Sequence, residues 1–506
     1  MTASGPRWRP FLVIWVLLAL LSALWSLATP LGASPDEPAH LAKAASVVRG
    51  EFLGRSTPTG EIVDVPRYIA FTQAQTCFAF ESEVTADCSP TLTGDPDASV
   101  TTTTSAGRYN PVYYLLVGWP SLILHDQVGI YAMRIVSGLI SSLFLALAAV
   151  QLLTLRRRLV PLLAFAVAVT PMVLFLDSVV NPNSLEVTAT LATFVTMFLV
   201  VRHPDPALLP ARAISVVVSA SIAVTMRGLS PLWVLLALAA PLLLISRPLA
   251  VELIRSTWVR TAALVIALAA AFAIAWILLS NSLGSGSGVS AGSGPTPGVG
   301  DSPLRGFVLV LFGTFDYGRG LVGVFGWLDT PAPEAVFFAW SALFGALVLV
   351  TMSVTRGRAR ILGLVLLLGV VLLPAVLQGI YIHTGGIIWQ GRYALPIFVI
   401  LVLALGLMLG EALPDLAPTT VRALALLVTA TWAVAQVYSF ATALRRYAVG
   451  LTGNLAAFVE APAWSPPLGV IALILLFTAV ISGAGVALAV TAVSPSNRRD
   501  LDPTAA

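Results

Sequence analysis

Charge is scarce in this chain. Only 10% of its 506 residues are Asp, Glu, Lys or Arg, while 58% are hydrophobic and the mean hydropathy is +0.91. Soluble domains carry roughly a quarter of their residues as charged side chains, so too little charge is present to clothe a water-facing surface. An ordinary soluble globular protein is thereby excluded, and the lipid bilayer is the main solvent. No G-x-x-x-x-G-K-S/T run occurs, which argues against an ATP-driven pump, and no inverted internal repeat is visible. Cysteine is nearly absent: Cys77 and Cys88 are the only two, and both fall in the longest polar stretch. The net charge of +4 and pI near 9.3 would suit nucleic acid. The basic residues, however, sit in short clusters beside apolar runs, where they act as topology signals, so no nucleic-acid partner is expected.

What is present is a succession of apolar runs. A crossing needs about 20 apolar residues, and about 12 such runs are read at 11–31, 131–154, 159–177, 185–201, 213–227, 231–246, 260–280, 334–354, 361–382, 394–410, 421–441 and 468–491. The fifth and sixth are the weakest, because Arg227, Gly228 and Pro231 leave two short halves that pack as a broken hairpin. Alternating from Arg7 and Arg9, the clusters at Arg156 to Arg158, Arg202, Arg212, Arg247, Arg255, Arg260, Arg356, Arg358, Arg360, Arg422, Arg498 and Arg499 all fall on one side. Positive residues are retained in the cytoplasm, so both termini are expected there. The connections on that side are short, leaving no room for a cytosolic catalytic domain. The first run is read as an uncleaved anchor, since its apolar core exceeds the 7 to 15 residues of a signal peptide and no clean A-x-A site follows.

The expected fold is an all-α integral membrane protein forming one polytopic domain over 1–506. Residues 32–130 form a large first extracytoplasmic loop. Within it Pro111 to Leu124 is apolar but too short to span, and is read as an interfacial helix with Tyr113, Tyr114 and Trp119 at headgroup level. Cys77 and Cys88 lie in this loop on the oxidising side, where a disulfide is expected; two free thiols are the alternative. A second outer segment, 281–333, begins as a flexible Gly/Ser stretch. It continues as an apolar, aromatic run with Asp316, Arg319 and Asp329 embedded, read as re-entrant or interfacial.

Two stretches carry the chemistry. The first, SPDEPAH at 34–40, follows the first span directly. Its prolines fix the exit from the membrane and place Asp36 and Glu37 near a helix N-terminus, which favours the anionic form. A carboxylate kept ionised there suits a general base or a metal ligand, and His40 lies one helical turn from Glu37. The plainer reading is an acidic N-cap on a solvated helix. The second, WQGRYALP at 389–396, places Arg392 beside Gln390 and Tyr393 at the outer entrance of the tenth span. An arginine there binds phosphate bidentately or merely snorkels. Arg134, Asp177, Asn181, Asn183, Glu186, Arg227 and His383 share that side. Together they suggest a polar cavity opening outward, since charges in lipid usually face an interior or a cavity.

The ordered set SPDEPAH, NPVYY at 110–114, YAMRIVSG at 131–138, NPNSLE at 181–186, FGWLDTP at 325–331 and QGRYALP at 390–396 resembles the bacterial polytopic family called domain of unknown function 2142. That family in turn looks like the C-type glycosyltransferase superfamily. The resemblance implies an enzyme of the bacterial plasma membrane that moves a sugar from a polyprenyl-phosphate donor to an extracytoplasmic acceptor in the cell envelope, with inversion. It also implies catalysis by Asp36 or Glu37 and donor-phosphate binding by Arg392, helped by His40, Arg134, Gln390 and Tyr393. Asp177, Asn181, Asn183, Asp316, Arg319 and Asp329 would line the cavity. No cofactor is required, although a divalent ion bridging Asp36 and Glu37 is compatible with the residues. The competing classes are a transporter or flippase of a lipid-linked saccharide and a non-catalytic membrane protein.

Overall fold

The computed structural model describes residues 8–58, 60–283 and 296–494. Arg7, Arg498, Arg499 and most of the Gly/Ser stretch lie outside these ranges. Among the described residues, nine helices are long and apolar enough to cross a membrane: Trp8–Ala28 (α1), Asp126–Leu152, Pro182–Arg202, Thr257–Ser280, Glu334–Val354, Gly357–Gly385, Gly391–Ala412, Pro418–Val449 and Val470–Val493. A tenth crossing is split into Leu159–Ala168 and Pro171–Asp177, bent by 63°. Pro171 cannot donate to the preceding turn, and Thr170 takes over as N-cap by accepting from the Val173 N–H. The expected fifth and sixth spans are shorter than a crossing, Leu209–Ala223 and Ser230–Leu244. The break at Arg227, Gly228 and Pro231 is the reason, so the count of twelve full spans is corrected to nine, or ten with the bent pair.

Pro182–Arg202 and Gly391–Ala412 are each 94% buried within the protein and form the centre of the bundle, whereas Thr257–Ser280 is only 11% buried and faces lipid. α1 lies against Asp126–Leu152, and a Cβ on Gly138 would stand 2.2 Å from Ser22 Oγ and 2.9 Å from the Asp177 carbonyl oxygen, so the missing side chain lets Ser22 seat against this helix. Above this contact Trp25 is ringed by Phe175, Phe325, Phe440 and Phe477 at centroid distances of 5.7, 5.2, 5.1 and 6.3 Å. One aromatic knot thus joins elements from both ends of the chain.

The segment after α1 is folded rather than loose. It holds helix Glu37–Val47 (α2) and a three-stranded antiparallel sheet of Arg55–Thr57 (β1), Gly60–Pro66 (β2) and Ser99–Thr103 (β3), ordered β1-β2-β3. The sequence reading contains no sheet, because these short strands alternate only weakly. Helix Pro111–Gly118 starts where Asn110 Oδ1 accepts from Val112 N and Pro111 occupies the first turn. Tyr113 and Tyr114, expected to face the headgroups, are instead buried inside the protein, bonded to Ser137 Oγ and His40 Nδ1 at 2.9 Å each. Trp119 remains 48% exposed.

Cys77 and Cys88 are joined in a disulfide. The lobe they close is fastened by Arg446, fully buried on helix Pro418–Val449, which donates to the carbonyls of Phe78, Glu81 and Val84 and to Asp329 Oδ2 at 3.0 Å. Asp329 also accepts from the Phe80 N–H at 3.1 Å. Breaking a buried ion pair by removing one partner costs about 3–5 kcal/mol. Arg446→Met should therefore lower the thermal unfolding midpoint in detergent by several degrees and open the 78–84 segment to protease. An unchanged midpoint and cleavage pattern would show that the lobe is held by other contacts.

Candidate active site

Asp36 stands at the start of α2 with φ +64°, a left-handed conformation that Asp tolerates better than most residues. Its side chain makes no capping bond to the helix, which removes the plain N-cap reading. Instead Oδ2 accepts from Arg392 Nη2 at 2.7 Å, across 356 residues of sequence. Arg392 lies in the single turn Gly391–Ala394 that opens the Gly391–Ala412 span. Gly391 sets its position: a Cβ there would fall 2.0 Å from the Tyr317 carbonyl oxygen, so the turn packs closer to Thr314–Val322 than any other residue permits.

The two partners differ in environment. The Asp36 side chain keeps 42% of its surface open, whereas Arg392 is only 1% exposed. Arg392 Nε and Nη1 are buried without a hydrogen-bond partner, as is Gln390 Oε1 beside them. A buried unpaired donor costs about 1–3 kcal/mol, more when charged, and such exceptions call for an explanation. Here two of them belong to the guanidinium that holds an open carboxylate. Tyr393 lies between two guanidiniums, 4.5 Å from Arg227 and 5.4 Å from Arg392, each measured to the ring centroid. His40 Nδ1 bonds Tyr114 Oη at 2.9 Å, and its ring lies 5.9 Å from that of Tyr109.

Burial disfavours the charged form of Asp36, but its open face limits that effect. Arg392, by charge and by hydrogen bond, together with Arg227, holds its pKa below the ordinary 3.8. Burial, reinforced by Arg227 and Arg392, drives His40 down to about 3 despite the opposing pull of Asp36. At neutral pH the pocket therefore presents an ionised Asp36 and a neutral His40.

Glu37 is used differently from its neighbour. It is fully buried and accepts from Arg134 Nε at 2.7 Å and Nη2 at 2.5 Å, and from the Val180 N–H at 3.1 Å. Arg134 gives its other N–H groups to the carbonyls of Ser26, Thr29 and Pro30. The sequence reading assigns Glu37 to catalysis and Arg134 to phosphate; the geometry gives them to each other, as a clasp between α1, α2 and Asp126–Leu152. With both Glu37 oxygens so engaged, the divalent ion bridging Asp36 and Glu37 does not fit. Among the described residues no three His, Cys, Asp or Glu side chains group as metal ligands.

The remaining expected residues divide. Asn181 caps the Asn183 N–H and donates to the Pro35 carbonyl at 3.4 Å. Asn183 and Ser230 both bond Glu186, at 3.0 and 2.6 Å, which supports the wall that carries Arg227. Asp177 is buried in the bundle with both carboxyl oxygens unpartnered. Three of the expected residues lie outside the pocket. Asp316 is exposed, Arg319 pairs with Glu334 at 2.5 Å, and Asp329 is taken by Arg446. His383 is exposed as well. Tyr109 and Tyr114 were missed as pocket residues, although the aromatic density of YNPVYY at 109–114 was the available signal.

These features define a polytopic helical membrane protein with an acid–guanidinium pocket at the end of the bundle that carries the folded first loop. The chain belongs to the family described as "Predicted membrane protein (DUF2142)", which it matches over residues 18–401. It is also similar to a solved structure described as the crystal structure of ArnT from Cupriavidus metallidurans bound to undecaprenyl phosphate. The identity is 14%, with 95% of this chain and 76% of that chain covered and a TM-score of 0.43. No curated protein matches the chain.

The different duties of the adjacent acids are separable by stability. Glu37→Gln leaves a buried guanidinium uncompensated and should cost about 3–5 kcal/mol. Asp36→Asn also removes the charge beside a buried guanidinium, but its side chain is partly exposed and can still accept from Arg392, so it should cost clearly less. Thermal unfolding of the purified variants checks this, and equal losses would contradict the division.

Proposed function

We propose that the protein is a membrane glycosyltransferase that moves a sugar from a polyprenyl-phosphate donor to an acceptor hydroxyl on an envelope glycan, glycolipid or protein, with inversion. The observation that carries this reading is the Asp36–Arg392 pair: a solvent-reachable carboxylate at 2.7 Å from a buried guanidinium with two unused donor atoms. Bidentate recognition of phosphate is what an arginine with spare N–H groups does best.

In the proposed reaction the donor phosphate takes the Nη1–Nη2 edge of Arg392, using the unpartnered Nη1 and drawing on Nη2, which also holds Asp36. Engaging that guanidinium weakens its hold on Asp36, which raises the basicity of the carboxylate when substrate is present. Asp36 then accepts the proton of the acceptor hydroxyl as its oxygen bonds to the anomeric carbon. The bond from that carbon to the phosphate oxygen breaks, and its electron pair leaves with the phosphate, whose charge Arg392 stabilises, seconded by Arg227. Displacement on one face inverts the centre. No step needs a metal, because the guanidiniums supply the positive charge.

The pocket is assigned to the outer leaflet of a bacterial plasma membrane, with both termini in the cytoplasm. Arg157, Arg158, Arg202 and Arg358 support this, since they meet the ends of other helices through Leu413, Thr491, Glu411 and Ile245. A transporter would place its polar groups near the midplane on broken helices. The bent pair ending at Asp177 is the feature such a protein would use, but the charged groups gather instead in the first-loop pocket.

Transfer of radiolabelled sugar from polyprenyl-phosphate donors in isolated membranes tests the reading. Asp36→Asn and Arg392→Gln should each lower transfer by about 100-fold or more, while Glu37→Gln should reduce protein level more than turnover. Because the Asp36 pKa is lowered in the free protein, the acid limb of kcat/KM should lie below the ordinary aspartate range, while that of kcat should lie higher, since the donor phosphate loosens Arg392 from Asp36. Undiminished transfer by Asp36→Asn would remove the catalytic assignment.

A further inference from the structure

A cleft separate from the acid–guanidinium pocket is present among the described residues. It has a volume of about 510 Å³ and lies in the first loop, between the disulfide lobe, the start of helix Asp126–Leu152 and the connection before the last helix. That volume suits a small-molecule ligand. Four aromatic rings line it: Tyr68, Phe71, Tyr131 and Trp464. Two carboxylates, Asp87 and Asp126, face the same space. Among the described residues, the Asp126 carboxylate and the side-chain amides of Gln75 and Gln127, which also line it, have no hydrogen-bond partner in the protein. No lysine or arginine lines the cleft, and Arg67, at its edge beside Gly94, is turned to the Thr93 carbonyl.

The walls are held in place before any ligand arrives. The Cys77–Cys88 bond and the Ser89 Oγ bond to the Gln75 carbonyl, at 3.2 Å, fix one side. The N–H groups of Ala463 and Trp464 both donate to the Ala448 carbonyl, which pins the other. Tyr68 is 2% exposed and its hydroxyl lies 3.3 Å from the Leu124 carbonyl. Preorganised flat rings with unused carboxylate and amide groups between them suit a ligand that offers both apolar C–H faces and hydroxyls. The carboxylates repel a polyanion.

The cleft also shares a wall with the clasp under the catalytic carboxylate. Arg134 donates to the carbonyl of Pro30, a lining residue, at 2.9 Å, and its guanidinium lies 5.6 Å from the Tyr131 ring, another lining residue. Its partner Glu37 is the next residue after Asp36. We infer that this cleft is the acceptor subsite and that it takes a neutral, unphosphorylated saccharide chain, stacked on Tyr131 and Trp464 and hydrogen-bonded by Asp126 and the two glutamines. The assignment as acceptor site rests on the glycosyltransferase reading; the saccharide specificity of the cleft does not.

Saturation-transfer NMR on the purified full-length protein tests it with four neutral tetrasaccharides (malto-, cello-, manno- and chitotetraose), a tetragalacturonate and tetralysine. At least one neutral tetrasaccharide should bind, and Trp464→Leu and the surface variant Gln127→Ala should each weaken that binding fivefold or more. Tetragalacturonate and tetralysine should bind worse. Absence of binding by all four neutral probes, indifference to both variants, or preference for the uronate or the peptide would overturn the proposal. Asp36 is not among the residues that line the cleft, so Asp36→Asn should weaken saccharide binding less than Trp464→Leu does. Retained binding together with undiminished transfer in that variant would therefore refute the catalytic reading alone.

Discussion

A guanidinium buried in the protein with a single partner is costly, and Arg392 is such a group. Its one bond reaches Asp36, and both residues stand where chain segments turn: Asp36 at the junction of α1 and α2, Arg392 in the turn that opens a nearly buried central helix. α1 is packed against Asp126–Leu152 at the Ser22–Gly138 approach, and the Trp25 ring cluster ties its other side to Phe175, Phe325, Phe440 and Phe477.

Three buried arginines make the contrast that identifies the site. Arg134 gives its N–H groups to Glu37 and three carbonyls, and Arg446 binds three carbonyls and Asp329. These two act as clasps, each joining segments distant in sequence. Arg392 has nearly the same burial and far fewer partners. Burial alone therefore says little about an arginine's duty. The number of its donors left without an acceptor separates a fastening from a ligand site.

Much of this was legible in the sequence. Apolar runs located the crossings, and the prolines and glycines around Arg227 marked the place where two of them fall short. The motif SPDEPAH and the motif QGRYALP pointed to the two halves of one pocket. Adjacent acids could not be told apart, because both meet a buried arginine, and which of Asp36 and Glu37 keeps an open face depends on the turn of one residue about α2. Asp329 and Arg319 read as embedded charges, yet their partners Arg446 and Glu334 are set by tertiary contacts that no local pattern encodes. Tyr113 and Tyr114 carry the composition of an interfacial belt, but Ser137 and His40 provide partners that draw them inside. The small β1-β2-β3 sheet escaped because strands this short pair through context.

The central claim is that Asp36 and Arg392 act as one unit. A double-mutant cycle measures this directly, using Asp36→Asn, Arg392→Gln and the combination, with unfolding free energy in detergent as the readout. Groups in contact show coupling of about 0.5–3 kcal/mol, and the double variant should lose clearly less than the sum of the single variants. Additive losses would mean that the two residues do not meet, and the pocket described above would not exist.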